Sequence, residues 1–488
     1  MLYLKYGHSQ PHRHLCRNKE QAQKPQTDTS GMRHILRCRS SFFLRVGKRQ
    51  AITTLGQSDA SSTDARPQNA DYRKRGKQMK LSVYLGENLA GYLESTAEKG
   101  VVFFYDTAYI KAGQPPISLS LPLSNAEFSQ KDCLPFFEGL LPEGDVKKRI
   151  SDYLHISETS TFKLLKELGG ECAGMVSILP EGESNKAKNA YAFSRDNYES
   201  LSEKKLAEYI QNINTRPLLK IKEKLRLSLA GAQEKLPLAY INGKYYLPKN
   251  GAPSTHILKP TGSGRLSNLA ANEYICTKLA KYSGLPTSKT ELKQIGNTEF
   301  LLIERYDRIS ENNQISRIHQ EDICQALGIL SDRKYQNDGG PSIADIYNLL
   351  KEKTTIPLIE TRNFLRYIIF NLIMGNCDAH GKNYSLLFQG NTIQLAPIYD
   401  TVSTIIYPDL TRKLSMKVGK HYEFKKINSE DFVLLAGQLN LKPKTILDCY
   451  FETIEKIEKN FDKVKNDSAL IGHEKTIEII EKNILRID

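Results

Sequence analysis

Asn376-Cys-Asp-Ala-His-Gly-Lys-Asn383, followed after a short apolar run by Leu395-Ala-Pro-Ile-Tyr-Asp400, is the stretch around which the 488-residue chain is organised. Asp378 and Asn383 stand five positions apart, the Asp-to-Asn interval of a protein-kinase catalytic loop, and Asp400 supplies a third oxygen ligand further on. Phosphoryl transfer needs such a trio. One Asp orients the attacking hydroxyl and accepts its proton, while the Asn and the second Asp hold magnesium against the phosphates, because hard cations take oxygen ligands.

The flanking pattern places this loop between a helix and a hairpin. Leu365, Ile368, Ile369, Leu372 and Ile373 form one apolar stripe of helical period, and Gly375 stands where a helix would stop. Beyond the loop, Tyr384–Phe388 and Thr392–Ala396 read as two strands turning at Gln389-Gly390-Asn391. Each carboxylate taken alone reads as a solvated loop residue. The trio at this spacing, after an apolar helix, carries the catalytic reading.

Upstream, the second unit opens with Ser228-Leu-Ala-Gly-Ala-Gln-Glu-Lys235, whose small residues Ala230, Gly231 and Ala232 let backbone N–H groups approach a phosphate. Gly231 is its single glycine, so an ordinary tight turn is the competing reading. Leu236–Ile241 and Lys244–Leu247 flank Asn242-Gly243, a hairpin signal. Thr255–Lys259 then reads as a strand ending in the lysine a kinase uses to hold nucleotide phosphates. Ser267–Ser283 reads as a helix closed by Gly284, and its Glu273 is positioned either to pair with Lys259 or to sit in solvent. A hairpin about Gly296-Asn297 leads into Glu304-Arg-Tyr-Asp-Arg308, where backbone groups between two lobes would meet adenine.

Charge and composition bound the remaining readings. The formal charge is +14, but residues 1–78 hold 16 Lys and Arg against 5 Asp and Glu, leaving residues 79–488 at only +3. A near-neutral body lacks the one-signed surface of a non-specific nucleic-acid binder. The basic residues 1–78 read as a disordered extension, or as residues upstream of a true start at Met79, with a nucleic-acid-binding arm as the alternative. Eight scattered cysteines with no Cys-x-x-Cys pair argue against zinc or a disulfide frame and for a reducing, cytoplasmic setting. No apolar run approaches the ~18 residues of a membrane span.

In chain order the sequence divides into the extension 1–78, an α+β subdomain 79–180, a polar linker 181–199, an ATP-binding region 200–308 and a helical region 309–488. In the first folded unit, strands are predicted at Leu81–Leu85, Val101–Tyr105 and the alternating Ile117, Leu119, Leu121, with helices near Phe136 and over Thr161–Leu168. Thr445–Val464 and Glu474–Ile487 read as amphipathic helices.

With these residues assembled, the chain resembles the HipA family, the kinase toxins of bacterial HipB/HipA toxin-antitoxin modules. The resemblance spans about residues 79–488 and rests on Ser228–Lys235, Thr255-His-Ile-Leu-Lys259, Asn272-Glu-Tyr274, Glu304–Arg308, Gln320-Glu-Asp322, Asp378–Asn383 and Tyr399-Asp400. It implies an α+β, two-lobed protein-kinase-like fold with an N-terminal α/β subdomain and a mostly helical C-lobe. It also implies ATP- and Mg2+-dependent phosphorylation of protein Ser or Thr. By position, Asp378 would be the catalytic Asp, Asn383 and Asp400 the metal ligands, and Lys259 a phosphate contact. Glu304 and Tyr306 would meet adenine through their backbones, with Ala230, Gly231, Ala232, His380 and Lys382 completing the ATP site. Ser228 matches a serine that family members autophosphorylate, and a dianion added there would repel ATP or expel the loop.

The implied partners are a HipB-like DNA-binding antitoxin, DNA only through that antitoxin, and an aminoacyl-tRNA synthetase as substrate, with no membrane. Two departures stand out: the extension before Met79, and the order Ala379-His380-Gly381 where the family order is Gly-His-Ala. The latter leaves Asp378 and Asn383 in place. The competing functions are a nucleotide-binding pseudokinase acting with an antitoxin and a small-molecule or lipid kinase.

Overall fold

The computed structural model describes residues 79–183, 187–212, 230–231, 233–262 and 266–487. The basic extension, Ser228 and Ala232 lie outside the described residues. The first folded unit is a four-stranded antiparallel sheet, with Met79–Leu85 central between Asn88–Thr96 and Val176–Pro180, and Gly100–Tyr105 at the edge. Alternation of Leu81, Val83 and Leu85 turns one sheet face onto the helices Gln130–Gly139 and Thr161–Leu168, and a core of Phe103, Phe136, Phe137 and Leu165 fills the space between them. The strand expected at Ile117–Leu121 does not form. Leu121 donates its N–H to the Ser118 carbonyl in a tight turn, which buries Ile117 and Leu121 and sends Leu119 towards the C-lobe core.

A six-stranded antiparallel sheet follows, in the order Thr290–Ile295, Thr298–Glu304, His256–Pro260, Leu236–Ile241, Lys244–Pro248, Tyr198–Leu201. The helix Leu269–Tyr282 packs on its first two strands. The stretch 181–199 is more than a linker. Ala190–Ala192 pairs with Gln314–Arg317, and Tyr198–Leu201 forms the edge of the large sheet. Its Glu, Ser, Asn and Lys content masks Tyr191 and Tyr198, whose burial among Ala239, Ala252 and Ile315 holds both strands.

The C-lobe is built on Pro357–Ile373, a helix whose Phe364, Leu365, Tyr367, Ile368, Phe370 and Leu372 are buried nearly all round. Its stop is as the sequence predicts. Met374 caps it and Gly375 adopts φ +67°, where a Cβ would lie 2.2 Å from Ile405 Cδ1, so both conformation and space select glycine. Pro443–Lys465 packs on it, and Ser429–Gln438 and Glu474–Lys482 pack in turn on Pro443–Lys465, the last ending earlier than its apolar pattern suggests. Ser385–Gln389 and Thr392–Leu395 form the expected hairpin and gain a third strand, His319–Asp322. No helix among the described residues is long and apolar enough to cross a membrane.

Candidate active site

The segment Asn376–Asn383 is tied down at its start through the backbone of Cys377. Cys377 donates its N–H to Thr404 Oγ1 at 2.8 Å, and its carbonyl accepts from both the N–H and hydroxyl of Ser415. Asp378 donates its N–H to Asn376 Oδ1 at 3.1 Å, while Asn376 Nδ2 donates to the Asp400 carbonyl at 3.3 Å. One asparagine therefore registers the two carboxylate-bearing segments against each other. Asp400 sits at φ +51°, a conformation that costs a non-glycine residue about 1–3 kcal/mol and persists only where its surroundings hold it.

Lys259 reaches this point from the large sheet. Its ammonium donates to Glu273 Oε1 at 2.7 Å and to Asp400 Oδ1, with the Lys259 and Glu273 side chains 4% and 3% exposed. The solvated alternative for Glu273 is thereby set aside. Burial disfavours the Lys259 charge, but the two carboxylates outweigh it and hold the ammonium above its usual range. Burial likewise opposes the charge of Asp400, yet Lys259 and Lys235 draw its pKa down to about 2. Asp400 remains ionised, with its side chain 39% exposed to the cleft.

Asp378 is exposed, as a group that must meet a substrate has to be. Its Oδ1 accepts a hydrogen bond from the Tyr335 hydroxyl at 2.8 Å. Crowding by protein raises its pKa, while Tyr335 and Lys334 act in the opposite direction. Asn383 Oδ1 is buried and has no hydrogen-bond partner among the described residues. An orphaned amide oxygen and an ionised, part-exposed carboxylate are the donor types a hard divalent cation takes, so Asn383 and Asp400 fit the magnesium expected of them.

The other expected ATP contacts divide. Gly231 has φ +109°, and a Cβ there would come within 2.6 Å of Lys235 Nζ, so the glycine keeps this turn open beside the lysine cluster. Glu304 donates its N–H to the Lys289 carbonyl, whereas the Tyr306 N–H has no acceptor among the described residues. The Tyr306 N–H is thus open at this connection, and the Tyr306 ring lies tilted against Tyr399 with centroids 5.7 Å apart. Burial lowers the His380 pKa to about 3, leaving a neutral ring whose Nδ1 lacks a partner among the described residues. Lys382 does not join the cluster. Its buried ammonium is engaged by Asp322 at 2.6 Å and lies 3.6 Å from Glu143, so it ties the loop to its support.

Sequence reading missed the groups that arrive from distant elements: Tyr335 on Asp378, Glu143 and Lys334 beneath the loop, and Lys235 beside Asp400. Only Lys235 left a signal, as the last residue of the Ser228–Lys235 motif. Glu304–Arg308 and Gln320–Asp322 also prove largely structural. Arg305 and Arg308 are buried against Asp307 and Glu171, and Asp322 caps the helix Ile323–Ala326 while holding Lys382.

The HipA N-terminal domain family model matches residues 81–179, and the HipA-like C-terminal domain model matches residues 227–461. The protein named "Putative kinase Y4mE" from Sinorhizobium fredii is 35% identical over 402 residues, covering 80% of this chain and 95% of that relative. The chain belongs to the HipA family. Within it, the serine/threonine-protein kinase toxin HipA of Shewanella oneidensis is 29% identical over 384 residues, covering 76% of this chain and 86% of the toxin. A solved complex of the Shewanella oneidensis HipA, HipB and operator DNA superposes with a TM-score of 0.69 at 25% identity, covering 82% of this chain and 97% of that one. This HipA-family chain thus has the kinase-like fold, and the names of its relatives support a kinase.

Proposed function

We propose that this HipA-family chain is an ATP- and Mg2+-dependent protein serine/threonine kinase. The observation that carries the reading is the Lys259–Glu273–Asp400 ion cluster standing beside an exposed Asp378 and an unpartnered Asn383 oxygen. Lys259, fixed by Glu273, presents a permanent positive charge to the nucleotide's phosphates, and Lys235, whose charge burial disfavours, stands nearby. The Glu304 carbonyl and Tyr306 N–H bind the adenine edge, and Gly231 lets the loop backbone approach the phosphates. Asn383 and Asp400 hold magnesium, which when bound neutralises charge on the phosphate oxygens. Asp378 orients the acceptor hydroxyl and takes its proton, a role worth about 10²–10⁴-fold in rate.

Ser228 is the site of self-phosphorylation in this reading, and the added dianion silences the kinase by displacing the phosphate loop. The partner is a HipB-like DNA-binding antitoxin, through which alone the chain meets DNA; the solved relative's complex with HipB and operator DNA supports this. The protein acceptor is an aminoacyl-tRNA synthetase, whose modification slows translation in the cytoplasm. A pseudokinase that only binds nucleotide is disfavoured by the exposed Asp378, which serves no packing role.

The test is mass spectrometry of the full chain after incubation with Mg-ATP, beside Asp378→Ala. Phosphate on Ser228 in the first protein and not the second is the expected result. Equal phosphorylation of both would remove Asp378 from its role.

A further inference from the structure

The hydroxyl of Tyr335 stands where an acceptor hydroxyl has to stand. It donates to Asp378 Oδ1 at 2.8 Å, which is the geometry by which a catalytic carboxylate engages the group it will deprotonate. The phenol is not there by accident of a mobile side chain. Its ring meets His380 edge-on, with centroids 5.2 Å apart. The preceding Lys334 accepts the Gly381 N–H through its carbonyl at 3.3 Å and places its ammonium 2.7 Å from Glu143 Oε2. The following Gln336 accepts the Lys417 N–H at 2.7 Å. Three consecutive residues therefore fix this connection against the catalytic loop, the N-terminal subdomain and the strand Lys413–Val418.

A kinase with an open Asp378 faces a chemical problem. Water is present at about 55 M and can use the same carboxylate: the water oxygen bonds to the γ-phosphorus, the bond from that phosphorus to the ADP oxygen breaks, and the water proton passes to Asp378, which wastes ATP. A phenol on Oδ1 hinders this, because it already engages that oxygen by a hydrogen bond where a water would have to donate. Tyrosine suits the task. Burial and the neighbouring Asp378 charge raise its pKa, so it stays protonated and remains a donor.

We infer that Tyr335 is a positioning residue that occupies the acceptor's place on Asp378, suppressing transfer to water until a protein hydroxyl displaces it. In the productive reaction the Ser or Thr oxygen bonds to the γ-phosphorus, its proton passes to Asp378, and ADP leaves. Tyr335 makes entry of that hydroxyl a competition, so it also sets which acceptors succeed: those with enough binding energy elsewhere to lift the phenol away. The inference rests on the kinase reading above and adds an account of its selectivity.

The experiment compares ADP release without added acceptor by the full chain, Tyr335→Phe, Asp378→Ala and the Tyr335→Phe/Asp378→Ala double variant, all in Mg-ATP. Tyr335→Phe keeps the ring on His380 and removes only the hydroxyl. Hydrolysis is expected to rise about tenfold, a fraction of the ~10²–10⁴-fold a positioned base supplies, with ATP affinity unchanged. The double variant should return to the level of Asp378→Ala. Tyr335→Leu provides a second variant should Phe misfold, and it should move hydrolysis in the same direction. Hydrolysis that stays level or falls in both, while the parent still phosphorylates itself, overturns the inference and leaves the kinase reading intact. Absence of both transfer and ADP release in parent and variants, with ATP bound, overturns both.

Discussion

Two charge clusters, one formed by the segment Glu304–Arg308 itself and one around Lys259, are both made of carboxylates facing cations. In the first, Arg305 and Arg308 meet Glu171 and Asp307 at 2.7–3.4 Å, with every side chain no more than 3% exposed. Ser254 adds its N–H and hydroxyl to Glu171 at 2.7 Å, and Gly174 its N–H to Asp307 at 2.9 Å. In the second, Lys259 meets Glu273 and Asp400, but Asp400 opens to the cleft and Asn383 Oδ1 nearby in sequence order is left unpartnered. The chemistry of pairing is the same in both. What separates them is closure: the first is sealed against water, with the buried Arg317 adding its charge, whereas the second keeps an exposed face for a ligand. Pairing alone therefore does not mark a functional site, and neither does an orphaned oxygen, since Glu171 Oε2 lacks a partner among the described residues too; an ionised member open to solvent does.

The sharpest way to break the contrast is Glu171→Ala. It leaves two buried guanidiniums facing one carboxylate, and unfolding free energy should fall by about 3–5 kcal/mol. Urea unfolding reads this directly; a loss below about 1 kcal/mol would mean the sealed cluster is not structural. Lys259→Met attacks the open cluster instead. ATP binding measured by calorimetry should weaken by about 1.5–3 kcal/mol, since a charge-assisted contact to phosphate is lost. Unchanged affinity would take Lys259 out of the nucleotide site.

A third carboxylate sharpens the comparison because it is sealed with no cation at all. Glu321 accepts from the Ser118 hydroxyl and from the Leu119 N–H at 2.9 Å, and burial drives its pKa up to about 8. A raised pKa means the folded form holds a proton that the unfolded chain releases. Its contribution is complete below about pH 4.5 and is lost as pH rises through 8. Relative to Glu321→Gln, which imitates the protonated acid, the parent should lose roughly 1 kcal/mol per pH unit across that window. Parallel thermal-unfolding profiles for the two proteins would refute the shift.

Much of the fold was legible because its signals are local. The stripe ending at Gly375, the Asn242-Gly243 hairpin and the alternation of Met79–Leu85 each need only neighbouring residues, and each stands where expected. The strands Ala190–Ala192 and Tyr198–Leu201 were hidden because their stability comes from partners more than forty residues away, Gln314–Arg317 and Lys244–Pro248. The site divides in the same way. Asp378, Asn383 and Asp400 lie within one stretch of spacing, and Lys259 with Glu273 within another. Tyr335, Glu143 and Lys334 touch the loop only through the tertiary fold, so no interval in the chain announces them.

The link between Glu143 and the cleft bears on how this protein can be cut and recombined. Glu143 donates its N–H to the Gly231 carbonyl at 3.1 Å, and its carboxylate sits between Lys334 and Lys382. A single residue of the N-terminal subdomain thus holds Gly231 with its main chain and Lys334 and Lys382 with its side chain. The two lobes downstream are consequently not a minimal enzyme with an optional attachment. A chimera that exchanges residues 79–180 for a foreign module would lose one wall of its own furnace, however well the graft folded.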